Sequence, residues 1–204
     1  MNDCVFCNIN KIRNDSEFDE ILHETSNFVI IPSKGCFITG YILIISKRHV
    51  NSMLLLNQEE KNELLNLIEM IQMKLKKDFD FFPLLFEHGD SLIHSDFSAN
   101  SVYHAHVHLV PYQLKDNTFF EKIKMVEMKS LDFYMAQSGE MPYLMFINNQ
   151  QKVFFKYLTE KTESQLFRKM IATDANLNDL WNWREYDFLQ NLLNTKKIYK
   201  RIFQ

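Results

Sequence analysis

The 204-residue chain carries 23 Lys and Arg against 26 Asp and Glu, a net charge of −3, and is 46% hydrophobic and 14% aromatic with 18 Phe. Gly and Pro number four each, well under the roughly 12% combined share of average proteins. This excludes a disordered, collagen-like or linker-rich chain and implies a compact protein with a large core, one domain with an elaboration. The mild acidity gives no general hold on a polyanion, so extended nucleic acid is not an expected partner and any phosphate chemistry must be local.

The chain opens on Cys4-Val5-Phe6-Cys7, a C-x-x-C spacing that suits a metal knuckle or a redox pair. With Cys36 the cysteines number three. An odd count, with Asp3 and no apolar stretch in the first twenty residues, predicts a reducing, cytoplasmic setting without a signal peptide. Short strands are expected around Ile21-Leu22 and over Phe28 to Ile31, then a turn through Pro32-Ser33-Lys34-Gly35. Gly40 to Ser46 is a continuous apolar run of strand length that ends in Lys47-Arg48-His49.

Asn57-Gln58-Glu59-Glu60 offers an N-cap with Glu at the third helical position, and Leu64, Leu67, Ile68, Ile71 and Leu75 follow at helical spacing. Lys76 and Lys77 suit its last turn. Strands are expected over Pro83 to Glu87 and Ser101 to Pro111, with a polar loop between them. Beyond Lys115, Met141 to Asn148 and Lys152 to Tyr157 read as a hairpin around Asn149-Gln150. Ser164 to Ala172 and Asp187 to Phe203 read as helices, and Trp181 and Trp183 alternate as in a strand. No run nears the ~18–20 apolar residues that span a membrane. The mixture lacks βαβ regularity, which predicts an α+β fold.

Seven histidines stand at 23, 49, 88, 94, 104, 106 and 108. Three fall in His104-Ala105-His106-Val107-His108-Leu109-Val110, where strand alternation places the imidazoles on one face at ~6.6 Å intervals. Three basic rings on one surface are costly as a purely structural device. They point to metal binding, phosphate binding or nucleophilic catalysis.

His104 to Val110 resembles the signature of the histidine-triad (HIT) family. Gly40 to His49 is similar to that family's segment before the central helix, Ser101-Val102-Tyr103 to its lead-in, and Cys4 to Cys7 to the amino-terminal knuckle of bacterial members. The resemblance implies a bent antiparallel sheet with helices over residues 1–129, and a carboxy-terminal hairpin and helical extension, 130–204, packing on it. It implies a nucleotide hydrolase or nucleotidyltransferase acting at an α-phosphate through a covalent nucleotidyl-histidine. The substrate would be a small nucleotide, such as a dinucleoside polyphosphate or a nucleoside phosphoramidate.

Carried onto this sequence, the resemblance makes His106 the nucleophile, its second nitrogen held by a backbone carbonyl beside His104. His108 and Ser101 would donate to the phosphate, and Asn100, His88 and Ser33 would join them in contacting phosphate or nucleotide. Cys4, Cys7, His49 and His104 would hold a structural zinc, with His23 as a substitute ligand. No organic cofactor is implied, and a homodimer is. Three departures stand out: Ser33 replaces a ribose-binding acid, Glu87-His88-Gly89 replaces N-x-G, and Ala99-Asn100 replaces Gly-Gln. Because Ser33 and Glu87 occupy recognition positions, a binding or regulatory module with little turnover is the alternative, followed by a hydrolase using the triad as zinc ligands.

Overall fold

The computed structural model describes residues 4–9 and 20–204. Of the acidic segment near the amino terminus, Glu17 and Asp19 lie outside them, whereas Glu20 pairs with Lys196 at 2.7 Å. The strands are β1 (His23–Glu24), β2 (Phe28–Pro32), β3 (Ile42–Ser46), β4 (Leu84–Gly89), β5 (His106–Val110), β6 (Val126–Met128), β7 (Tyr143–Ile147) and β8 (Val153–Tyr157). Among the described residues five α-helices accompany them: α1 (Gln58–Phe79), α2 (Phe119–Lys122), α3 (Leu131–Met135), α4 (Leu166–Asp174) and α5 (Leu189–Phe203). The fold is α+β. All the strands join one antiparallel sheet in the order β1-β2-β3-β5-β4-β7-β8-β6.

Every residue of β2, β3, β4, β5 and β7 is buried, because the sheet is covered on both faces. This is why the central strands read as unbroken apolar runs rather than alternating ones. On one face Ile42, Ile44, Leu85, Val107, Leu109, Met145 and Ile147 meet Leu64, Leu67, Ile68, Ile71 and Leu75 of α1. On the other, Leu43, Ile45, Phe86, Leu144 and Phe146 meet Phe167 and Ile171 of α4.

Helix α1 starts where the sequence places it. Asn57 accepts a bond from the Glu60 amide at 2.9 Å while Glu60 accepts one from the Asn57 amide at 2.8 Å, a reciprocal cap. Glu60 also receives Arg48 at 2.6 and 2.8 Å, and Lys47 pairs with Glu24. Lys47 and Arg48 are thus spent on structural ion pairs.

Several expectations shift. The strand expected over Ser101 to Pro111 is only its second half, His106–Val110, because residues 101–104 form bends. The first strand is His23–Glu24 rather than Ile21-Leu22, and His23 stacks on Phe203 at 4.1 Å, away from the cysteines. Trp181 ends a 3-10 turn, Asn178–Trp181, and Trp183 follows in a turn, so the two do not alternate on a strand. Helices α2 and α3 and strand β6 are too short to show a period in sequence. Strand β7 pairs along β4 and β6 along β8, so strands from either side of residue 130 lie in one sheet.

Candidate functional site

Pairing and parity set the site. On β5, His106 and His108 face away from α1 because Val107 and Leu109 face toward it. On β4, Phe86 and His88 share the face of His108. Phe86 stands opposite His108 in the ladder and stacks on it at 4.3 Å, 11° from parallel. Glu87 has the opposite parity. Its carboxylate accepts bonds from the Tyr134 and Tyr143 hydroxyls at 2.6 Å each and from the Met53 amide at 2.8 Å. The expectation that Glu87 stands at a recognition position is therefore overturned: a residue between Phe86 and His88 must point into the α1-side core.

A cleft opens on the β5 face, lined by Ser33, His88, Asn100, Ser101, His106 and His108. These are the six residues expected at a phosphate or nucleotide. His104 is not among them, since it lies just before β5 and turns to the cysteines. The loop residues after β4 go elsewhere too, His94 pairing with Asp90 at 2.8 Å.

Within the cleft the tautomers are set by fixed partners. The His106 Nδ1–H donates to the His104 carbonyl at 2.6 Å, which leaves Nε2 as the lone-pair nitrogen. The ring meets Phe6 edge-on at 5.1 Å between centroids. Tyr41, fully buried, lies with its hydroxyl 2.7 Å from His108 Nδ1. Burial pushes that phenol up to about 12, so it keeps its proton and can donate to His108 Nδ1, the tautomer in which the His108 Nε2–H is a donor.

Burial also holds the imidazoles neutral. It drives His106 down to about 4, against the opposing pull of its bond to the His104 carbonyl. It drives His88 to about 3, helped by the charges of His106 and Arg168, and His108 well below its usual range. Each ring therefore loses stability for the fold on acidification: the unfolded imidazole takes a proton near pH 6.5, and the folded one does so only far lower. Lowering the pH from 6.5 to 5 costs about 2 kcal/mol through His88 alone, with His108 adding in the same direction. Glu87 acts oppositely. Burial raises it to about 7, so its folded form gains a proton, and stability, as pH falls through 7. Denaturant melts at pH 7.5 and 5.0 should show a less stable protein at pH 5.0, with a steeper loss in Glu87→Gln.

Beside the cleft, Cys4, Cys7, His49 and His104 place one ligand atom each within 4.8 Å of one another. The Cys4 and Cys7 thiols stand 3.4 and 3.6 Å from His104 Nδ1, Cys7 stands 3.2 Å from His49 Nδ1, and the two Nδ1 atoms are 3.2 Å apart. A zinc tetrahedron with ordinary Zn–S and Zn–N bonds has edges of about 3.3–3.8 Å, so the donor set fits that ion. The His104 Nε2–H donates to the Ser46 carbonyl at 2.6 Å, which turns its Nδ1 lone pair toward the cysteines as a metal ligand requires.

The carboxy-terminal region supplies cleft residues that the sequence did not announce. Gln165, Arg168 and Trp183 line the same cleft, with Lys34. The Arg168 guanidinium donates to Ser33 Oγ at 3.1 Å, the Gly35 carbonyl at 2.6 Å and the Trp181 carbonyl at 2.9 Å. Gly35, at φ +63°, is required here, since a Cβ would sit 2.5 Å from the Trp183 Cα. The available signal for Arg168 was a cation inside the apolar stripe of α4, flanked by Phe167, Ile171 and Ala172, all buried.

Fold and cleft together define an α+β protein whose central strand sends alternate histidines into a cleft beside a Cys/His cluster. The sequence profile of the HIT domain matches residues 16–114. Among solved structures the chain is similar to a hypothetical histidine triad nucleotide-binding protein from Sulfolobus tokodaii (21% identity, 55% of this chain and 71% of that one, TM-score 0.43). It is also similar to a HIT family hydrolase from Clostridium thermocellum (22%, 54% and 90%, 0.39) and a Zn-bound histidine triad family protein from Mycobacterium smegmatis (20%, 56% and 78%, 0.42). No curated protein matches the chain. Among the described residues no helix is long and apolar enough to cross a membrane.

Proposed function

We propose that this protein is a nucleotide hydrolase or nucleotidyltransferase that acts at an α-phosphate through a nucleotidyl-His106 intermediate. The observation that carries the reading is the His106 ring itself. It lines the cleft, with Nδ1–H committed to the His104 carbonyl and Nε2 bearing its lone pair. A neutral imidazole attacks phosphorus without prior deprotonation.

In the first step the Nε2–P bond forms and the bond from phosphorus to the leaving oxygen or nitrogen breaks, its electron pair departing with the leaving group. The positive charge that develops on the ring is met by the carbonyl at Nδ1–H. His108 Nε2–H, Ser101 and Asn100 are placed along the same cleft to donate to the non-bridging oxygens as charge builds there. In the second step water, or another acceptor, forms the new P–O bond. The P–N bond breaks and returns its pair to Nε2, and the acceptor's proton is released to solvent. Cys4, Cys7, His49 and His104 are proposed to hold a structural zinc; bound there, the ion closes a tetrahedron with no open position. In this reading the 1–129 domain carries the chemistry and the 130–204 extension completes the cleft.

The test is a trapping experiment. Protein mixed with diadenosine tetraphosphate labelled at the α-phosphates and quenched in alkaline denaturant should carry acid-labile, base-stable label on the peptide containing His106. Tight binding with no label assigns the protein to a binding module instead. Neither binding nor label removes the nucleotide reading altogether.

A further inference from the structure

The charge balance of the cleft is unusual. Among the described residues its lining holds two cations, Lys34 and Arg168, and no carboxylate. Arg168 is 2% exposed, and none of the ion pairs among the described residues includes it. Its three partners are neutral oxygens, those of Ser33, Gly35 and Trp181. An arginine this deep is ordinarily paired with a carboxylate, because an uncompensated buried charge is expensive. These bonds, with the Phe37 and Tyr41 rings each 5.1 Å from the guanidinium, anchor α4 but leave the charge without a carboxylate counterion among the described residues.

Two further groups around the cleft are unfinished. Gln165, 4% exposed, has its Oε1 buried without a hydrogen-bond partner, and so does the Nε2 of His88, itself 6% exposed. Buried polar atoms are nearly always satisfied, so groups left open around one opening mark where a ligand's polar atoms go. Trp183 adds an aromatic wall, held between Lys34 at 5.8 Å and Arg184 at 4.6 Å from its ring.

Arg168 lies beside Tyr41, whose hydroxyl meets His108 Nδ1. His106 neighbours His108 at 4.9 Å between centroids, His108 neighbours Tyr41 at 5.8 Å, and the Arg168 guanidinium lies 5.1 Å from the Tyr41 ring. The guanidinium, fixed on Ser33 Oγ in the cleft wall, can receive an anionic group of a ligand there.

We propose that Arg168 is a specificity-determining residue, and that the cleft takes a nucleotide bearing a second anionic substituent on its nucleoside side, received by Arg168 beside Ser33. The proposal rests on the nucleotide reading above. It assigns a recognition role to the carboxy-terminal extension, which places Arg168, Gln165 and Trp183 in the cleft.

Calorimetry with AMP, adenosine 2′,5′-bisphosphate and adenosine 3′,5′-bisphosphate on the zinc-loaded full chain tests it. At least one bisphosphate should bind the wild type 10-fold or more tighter than AMP. Arg168→Gln should erase that difference, and Arg168→Lys should restore part of it. Equal binding of all three probes to the wild type overturns the proposal while leaving the nucleotide reading intact, and that comparison needs no variant to fold. A preference that survives in folded Arg168→Gln overturns it as well. Failure of every probe to bind, AMP included, removes the nucleotide reading and this proposal with it.

Discussion

Replacing His106 with alanine should lower turnover of a dinucleoside polyphosphate by at least roughly 10³-fold and abolish the covalent label, while nucleotide affinity changes by less than about 3-fold. The asymmetry follows from where the ring's bonds go. Its Nδ1–H is spent on the His104 carbonyl, so removing the side chain deletes the attacking lone pair but leaves Ser101, Asn100 and His108 along the cleft. The ring packs edge-on against Phe6, so the variant also loosens the amino-terminal turn, and a thermal melt should be recorded beside the kinetics. Steady-state rates, affinity by calorimetry and label retention together check the expectation. Turnover within 10-fold of wild type would displace His106 from the chemistry.

Removing the metal should act on stability far more than on the chemical step. Protein purified without chelator should hold one zinc per chain, and the Cys4→Ser, Cys7→Ser double variant should hold less than a tenth of that. The variant's Tm should fall by roughly 10 °C, since losing a bound structural ion costs several kcal/mol and each kcal/mol moves a chain of this size by about 2–4 °C. The trapped label on His106 should persist at temperatures where the variant remains folded. The physical basis is separation of duties: His104 gives Nδ1 to the cysteines and its carbonyl to His106. The metal would thereby fix the strand that carries the nucleophile without standing in the cleft. Elemental analysis, melting curves and labelling distinguish this from a zinc-dependent hydrolase, which would lose all activity on chelation.

How much of this was legible in the sequence depends on whether the signal was local. The α1 cap, the α1 stripe and the buried central strands rest on neighbours a few residues apart, and they appear where the spacing predicts. The alternation around His106 and His108 likewise carries both rings to one face. His104 shows the limit of that logic, because the strand does not begin until His106 and the earlier backbone bends. Glu87 and Arg168 failed for a different reason. The motif position of Glu87 suggests recognition, whereas parity on β4 decides its direction and the tyrosine partners come from residues 134 and 143. Arg168 meets Ser33 across 135 residues of chain, a pairing that only the docked extension creates.

The pairing of Tyr143–Ile147 along Leu84–Gly89 has a consequence for any attempt to shorten this chain. Every residue of that inner strand is buried, so ending the polypeptide near position 130 would bare a long hydrophobic margin of unsatisfied amides and carbonyls in the middle of the molecule. Such a rim recruits other chains by edge-to-edge addition, and the fragment would be expected to precipitate before its catalytic competence could be measured.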